Sequence, residues 1–131
     1  MNRRIYIHLP TLYEDSQNDK ILLNIASTDP EVRKTSRRIL EQLIEKTTPY
    51  NISGYIVHAP TRYNFSTRNL LFAPAEDEDF IRDIFWFQGF DHRIMVENIP
   101  PAIFFENKTY QILPFSAIQL LEEGIPMVLD T

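Results

Sequence analysis

Two short β-type runs, Arg4–Leu9 and Ile52–Ala59, bracket one strongly signalled helix, and a proline stops each of them. The helix signal is dense. Asp29 supplies an N-cap, Pro30 a first-turn proline whose missing N–H is no loss there, and Glu31 a negative charge at the positive end of the helix dipole. Val32, Ser36, Ile39, Leu40, Leu43 and Ile44 then recur at helical spacing to about Lys46, so one face is apolar, and Pro49 helps to end it. Tyr13–Asp19 reads as a polar loop, and Ile21–Ala26 is an apolar run that fits strand or helix.

The second half continues the alternation. Thr61–Arg68 reads as a loop and Asn69–Phe72 as a short extended piece ended by Pro74. The acidic run Glu76–Asp79 suits a helix start, and Phe80, Ile81, Ile84, Phe85 and Phe87 form an aromatic stripe leading to a glycine C-cap at Gly89. His92–Val96 is a further extended segment before the Ile99–Pro100 corner. Ala102–Phe105 and Thr109–Leu113 suggest a hairpin around Glu106–Asn107–Lys108. Ser116–Glu123 suggests a last helix, and Ile125–Thr131 a tail or small edge strand. Strand and helix alternating in this way predict one α/β domain over residues 1–131, with a mixed sheet of about four to five strands and flanking helices.

Its 131 residues are enough for a core without disulfides or structural metal. The chain has no cysteine, which excludes thiol–disulfide exchange, thiolate nucleophiles and cysteine-type zinc sites. A net charge of -5 argues against nucleic-acid binding, and Arg33–Arg38 reads as the solvated face of the first helix. The apolar part of Met1–Pro10 is too short for a secretory signal and no run is long enough to span a bilayer, so cytoplasm is the default location.

From Ile99 onward the chain resembles the thioredoxin-like superfamily. Ile99–Pro100 matches that family's corner, Ala102–Phe105 its following strand, Glu106–Asn107–Lys108 its turn, and Phe115–Glu123 its closing helix. The resemblance covers about a quarter of the chain. It implies a cis proline at the corner and a redox protein's scaffold without its Cys-x-x-Cys chemistry. The function that follows is a non-enzymatic interaction module, an adaptor, inhibitor or assembly subunit, with a protein partner or a second copy expected. Pro100 and Pro101 at the corner, and Trp86 and Phe90 as aromatics beyond what one buried face needs, are the candidate binding residues.

A second, independent pattern points to chemistry. The hexapeptide H-x-P-T-x-Y occurs twice, as His8–Tyr13 and His58–Tyr63, each time directly after a β-type run. Ligands in α/β sheets bind where loops leave the carboxyl ends of parallel strands. In the thioredoxin-like order the two runs are sheet neighbours, which brings His8, Thr11, His58, Thr61 and the Pro100 corner to one crevice. Two imidazoles near neutral pH can act as acid and base. The alternative function is therefore a small-ligand or phosphoester-processing enzyme using His8 and His58. No cofactor and no metal are expected, because His8, His58 and His92 form no local ligand spacing.

Overall fold

The computed structural model of the chain describes residues 3–61, 65–68, 77–112, 114 and 117–129. Its main sheet contains four parallel strands, β1 (Tyr6–His8), β4 (Gly54–His58), β5 (Ile94–Glu97) and β8 (Met127–Val128), side by side in chain order. Antiparallel pairing is confined to two separate hairpins, β2 (Leu12–Glu14) with β3 (Lys20–Leu22) and β6 (Ala102–Phe105) with β7 (Lys108–Gln111). The α/β layering is as expected, but the main sheet is parallel throughout rather than mixed. The Ile99–Pro100 bond is trans, unlike the corner that the thioredoxin-like resemblance implies, for no peptide among the described residues is cis.

Side chains alternate along each strand, and register decides which of them share a face. Ile7, Tyr55 and Ile94 form one row on the inner face; Val57 and Val96 lie in the next. Tyr55, Val57, Ile94 and Val96 are all buried, and they join Leu40 and Ile44 of α1 (Pro30–Thr47) and Leu120 of α3 (Ala117–Glu122) in one core. Ile81 of α2 (Asp77–Phe90) packs on the same cluster. All three helices thus contribute to a single face of the sheet, as sequential strand order with right-handed crossovers requires. The opposite face carries His8, Ile56, His58, Met95 and Glu97, none of them fully buried.

The start of α1 and the end of α3 are built as the sequence predicts, whereas α2 runs through Gly89, expected as its C-cap, to Phe90. Asp29 Oδ1 accepts from the backbone N–H of Glu31 (2.9 Å) and Val32 (3.3 Å). At the end of α3, Gly124 has φ +75°; its N–H donates to Leu121 O (3.0 Å), and Ile125 N–H donates to Leu120 O (3.1 Å). That is a Schellman closure, and the apolar contact that accompanies it is made by Ile125 and Leu120, both buried in the core.

Tyr13–Asp19, expected to be a polar loop, carries part of β2 and the turn of the β2–β3 hairpin, and the apolar run from Ile21, which fits strand or helix in the sequence, begins in strand β3. Asp15 turns the chain by accepting from the N–H of Gln17 and Asp19 (2.9 Å each), with Asn18 in the left-handed region at φ 64°. The other hairpin turns at Glu106 (φ 49°) and Asn107 (φ 63°), so Lys108, expected in the turn, is already strand. Residues 69–72 and the side chains of Phe80, Ile84 and Phe87 lie outside the described residues.

The two hairpins share a second small core. Leu22, Phe65 and Ile112 are its buried centre, and the Phe65 ring meets Tyr110 (centroids 4.6 Å apart) and Phe105 (6.2 Å) edge-on. Asp19 fastens the first hairpin to this core, accepting from Ser66 Oγ, Thr67 Oγ1 (2.7 Å) and Arg68 N (2.9 Å). Burial pushes the Asp19 carboxyl up, but these three hydrogen bonds outweigh it and hold its pKa below the usual carboxylate value.

Replacing Asp29 by alanine removes the side-chain cap of α1 and is expected to lower stability by about 1 kcal/mol. Urea unfolding followed by circular dichroism checks this, with the midpoint falling and the slope unchanged.

Candidate functional site

Three chain segments leave the carboxyl end of the main sheet in parallel. β1 ends at His8, β4 at His58 and β5 at Glu97. His58 and Glu97 are direct register partners, while His8 stands opposite Ile56, one same-face step back along β4. Parallel register puts all three side chains on the face away from the helices. Pro60 helps to end this arrangement. Ala59 donates its N–H to Glu97 O on the β5 side (2.8 Å), so the next backbone group faces β1, and proline has no N–H to continue there.

The side chains converge. His8 Nε2 lies 2.7 Å from Glu97 Oε2 and 3.0 Å from His58 Nε2, and His58 Nε2 lies 3.7 Å from the same Glu97 oxygen. The two imidazole rings meet edge-on with centroids 4.5 Å apart. Side-chain exposure falls from 43% at His8 to 22% at His58 and 13% at Glu97, so the cluster opens to solvent on the His8 side.

The outer ring nitrogens are oriented as well. His8 Nδ1 is 2.6 Å from the Leu9 carbonyl; a carbonyl only accepts, so Nδ1 carries the proton. His58 Nδ1 faces Thr11 Oγ1 at 3.3 Å. The hydroxyl beside His58 therefore comes from the other copy of the H-x-P-T-x-Y repeat.

Of the four residues expected here, three meet. Thr61 does not: it is buried and receives the Asn24 side-chain amide at its carbonyl (2.9 Å) and hydroxyl (3.3 Å), in a network that also joins Ser36 to the Asn24 N–H. Its role is to tie the exit of β4 to α1. Arg62 and Tyr63 lie outside the described residues.

Pro100 and Pro101 follow β5 at this same end and are both exposed; the Pro101 carbonyl accepts from Ile112 N–H (2.8 Å). Trp86 and Phe90 belong to a separate surface. Each is about half exposed, at 50% and 51%, their rings stack with centroids 6.0 Å apart, and the Arg37 guanidinium sits 5.7 Å above Trp86.

Glu97 carries no local signal in the sequence. It is the residue after the apolar run Ile94–Val96, and only its alignment with His58 reveals it. That alignment is clamped at the opposite strand ends. Asp91 accepts from Arg93 through its N–H (3.0 Å), Nε (2.8 Å) and a terminal guanidinium nitrogen (2.5 Å), while Arg93 also donates to Ile52 O (3.2 Å) beside β4. Hydrogen bonding to Arg93 holds the Asp91 carboxyl below its usual pKa against the opposing effect of burial.

No protein-family model, characterised protein or solved structure matches this chain.

Because the pKa values of Asp19 and Asp91 are both lowered by folding, their stabilisation is fully present above the unfolded carboxylate value of about 3.9 and is lost as pH falls below it. Asp91→Asn is expected to flatten the loss of stability between about pH 4 and pH 2 relative to the native chain. Thermal unfolding across that range is the measurement; parallel curves for the two proteins would count against the clamp.

Proposed function

We propose that this protein is a hydrolytic enzyme acting on a small ester, phosphoesters included, at the carboxyl ends of β1, β4 and β5. The observation that carries this reading is the meeting of His8 Nε2, His58 Nε2 and Glu97 Oε2 at one solvent-open point. These three atoms can accept a proton from water held on the open side of the cluster, and water so activated is the nucleophile hydrolysis needs. The chain has no cysteine, so no thiolate can serve as nucleophile, and water is the attacking group this reading takes. The position also supports it, because parallel sheets bind ligands beyond their carboxyl strand ends.

The expected outcome is turnover of at least one of p-nitrophenyl phosphate, bis(p-nitrophenyl) phosphate and p-nitrophenyl acetate. His8→Ala and His58→Ala each reduce kcat/KM by about 100-fold or more, while His92→Ala leaves it unchanged. Equal rates in all three variants would defeat the reading.

A specific observation favours a second reading, an interaction module. The stacked pair Trp86 and Phe90, with Phe85 at 46% exposure, forms an aromatic surface on α2 outside the hydrolytic centre. Aromatics of this kind are enriched at protein interfaces. Light scattering on the eluting protein is expected to reveal a dimer or a retained partner that Trp86→Ala releases; a strict monomer with nothing retained rejects it.

A further inference from the structure

We infer that His8, His58 and Glu97 form a binding site for one divalent transition-metal ion, of the zinc type. The inference rests on the same cluster as the hydrolytic reading and names its cofactor.

Hydrogen positions make the case first. The Leu9 carbonyl fixes the His8 proton on Nδ1, so in neutral His8 the Nε2 atom presents a lone pair. That lone pair faces a carboxylate oxygen at 2.7 Å and a second imidazole nitrogen at 3.0 Å. Electron-pair donors this close repel one another unless a positive charge lies among them. A proton on His8 Nε2 satisfies the Glu97 contact; a metal ion satisfies all three donors together.

Dimensions agree with the ion. The donor triangle has edges of 2.7, 3.0 and 3.7 Å. Tetrahedral zinc with bonds of about 2.0–2.1 Å separates its donors by about 3.3 Å, a value these edges bracket. A point about 1.9 Å from all three atoms lies in their plane, so an ion at zinc bond length sits roughly 0.8 Å out of it. Three protein ligands then leave a fourth position, and exposure places it on the His8 side.

The surrounding contacts are those a metal requires. A ligating histidine typically donates its other ring N–H to an oxygen, which fixes the tautomer and the ring direction. His8 does so to Leu9 O, and His58 Nδ1 faces Thr11 Oγ1 in position to do the same. Thr11 is thereby a positioning residue. Two imidazoles and a carboxylate are a borderline-soft set, suited to zinc rather than to magnesium or calcium, which take oxygen ligands.

Calorimetric titration of the full chain, stripped with chelator, is expected to show one Zn²⁺ bound at micromolar or tighter affinity, and no saturable Mg²⁺ binding. His8→Ala, His58→Ala and Glu97→Ala each weaken Zn²⁺ binding by more than about 100-fold, Thr11→Val by about 10-fold, and His92→Ala not at all. Long-range ¹H–¹⁵N correlation spectra of the native chain guard against misfolded variants: zinc is expected to move the Nε2 signals of His8 and His58 while both Nδ1 atoms stay protonated and His92 is silent. Failure of Zn²⁺ to saturate below about 1 mM, or zinc shifts centred on His92, overturns the site. Zinc binding without turnover of any ester refutes the hydrolytic reading and leaves the metal site standing. Turnover that depends on His8 and His58, with no zinc bound and no effect of chelator, does the reverse.

Discussion

The parallel register of β4 against β5 is the constraint on which the rest depends. Sliding one strand by a single residue would turn its inner side chains out and its outer ones in. Tyr55 and Val57 on β4, and Ile94 and Val96 on β5, are buried on the helix side. Exposing two such side chains costs about 3–6 kcal/mol, several times the net worth of one hydrogen bond. Burial therefore sets the register, and the Asp91–Arg93–Ile52 clamp reinforces it at the opposite strand ends. The pairing of His58 with Glu97 on the outer face is a consequence: an apolar core on one side positions a polar cluster on the other.

A sheet covered by helices on one face needs something at its strand ends to order the chain there. The two hairpins perform that task. Each leaves the carboxyl end of a main-sheet strand, and they meet through Phe65, Phe105 and Tyr110 in a small core of their own. Ile99 packs against both cores and so links the exit of β5 to the sheet beneath. Thr11, in the short turn between β1 and the first hairpin, is held by the same framework: its carbonyl accepts from Leu23 N–H at 2.9 Å. The hydroxyl that orients His58 is thus anchored by backbone bonding.

The elements with local causes were legible in the sequence. Asp29–Pro30–Glu31 marks the start of α1 and Gly124 the end of α3, because capping is settled within a few residues. The pairing of His8 with His58 was legible too, since the repeated H-x-P-T-x-Y follows two strands that prove to be neighbours. Glu97 was not. Its membership depends on a strand nearly forty residues further along lying next to β4, a long-range fact with no spacing signature. Thr61 misled for a related reason. Its sequence position copies that of Thr11, but Asn24 draws it into a buried network, whereas Thr11 begins a hairpin at the sheet edge. The turn of the β2–β3 hairpin has no sequence signature because Asp15–Asp19 contains no glycine; Asp15 and Asn18 make it by side-chain hydrogen bonding and a left-handed φ.

Proline gives the two halves of the repeat different work. Pro10 follows a strand at the sheet edge, where the missing N–H faces away from β4; it holds Leu9 extended, and Leu9 N–H still reaches Ile56 O at 2.9 Å. Pro60 follows an interior strand, where the missing N–H points toward β1 and ends that ladder. Both prolines stand two residues beyond the histidines, at the exits of β1 and β4. Exposure across the cluster is graded: His8, on the edge strand, is the most exposed, and Glu97, on an interior strand, the least. A group bound between them is held from the buried side by Glu97 and approached from the His8 side. That asymmetry is what a site needs if its three protein ligands are to leave one position for a reactant.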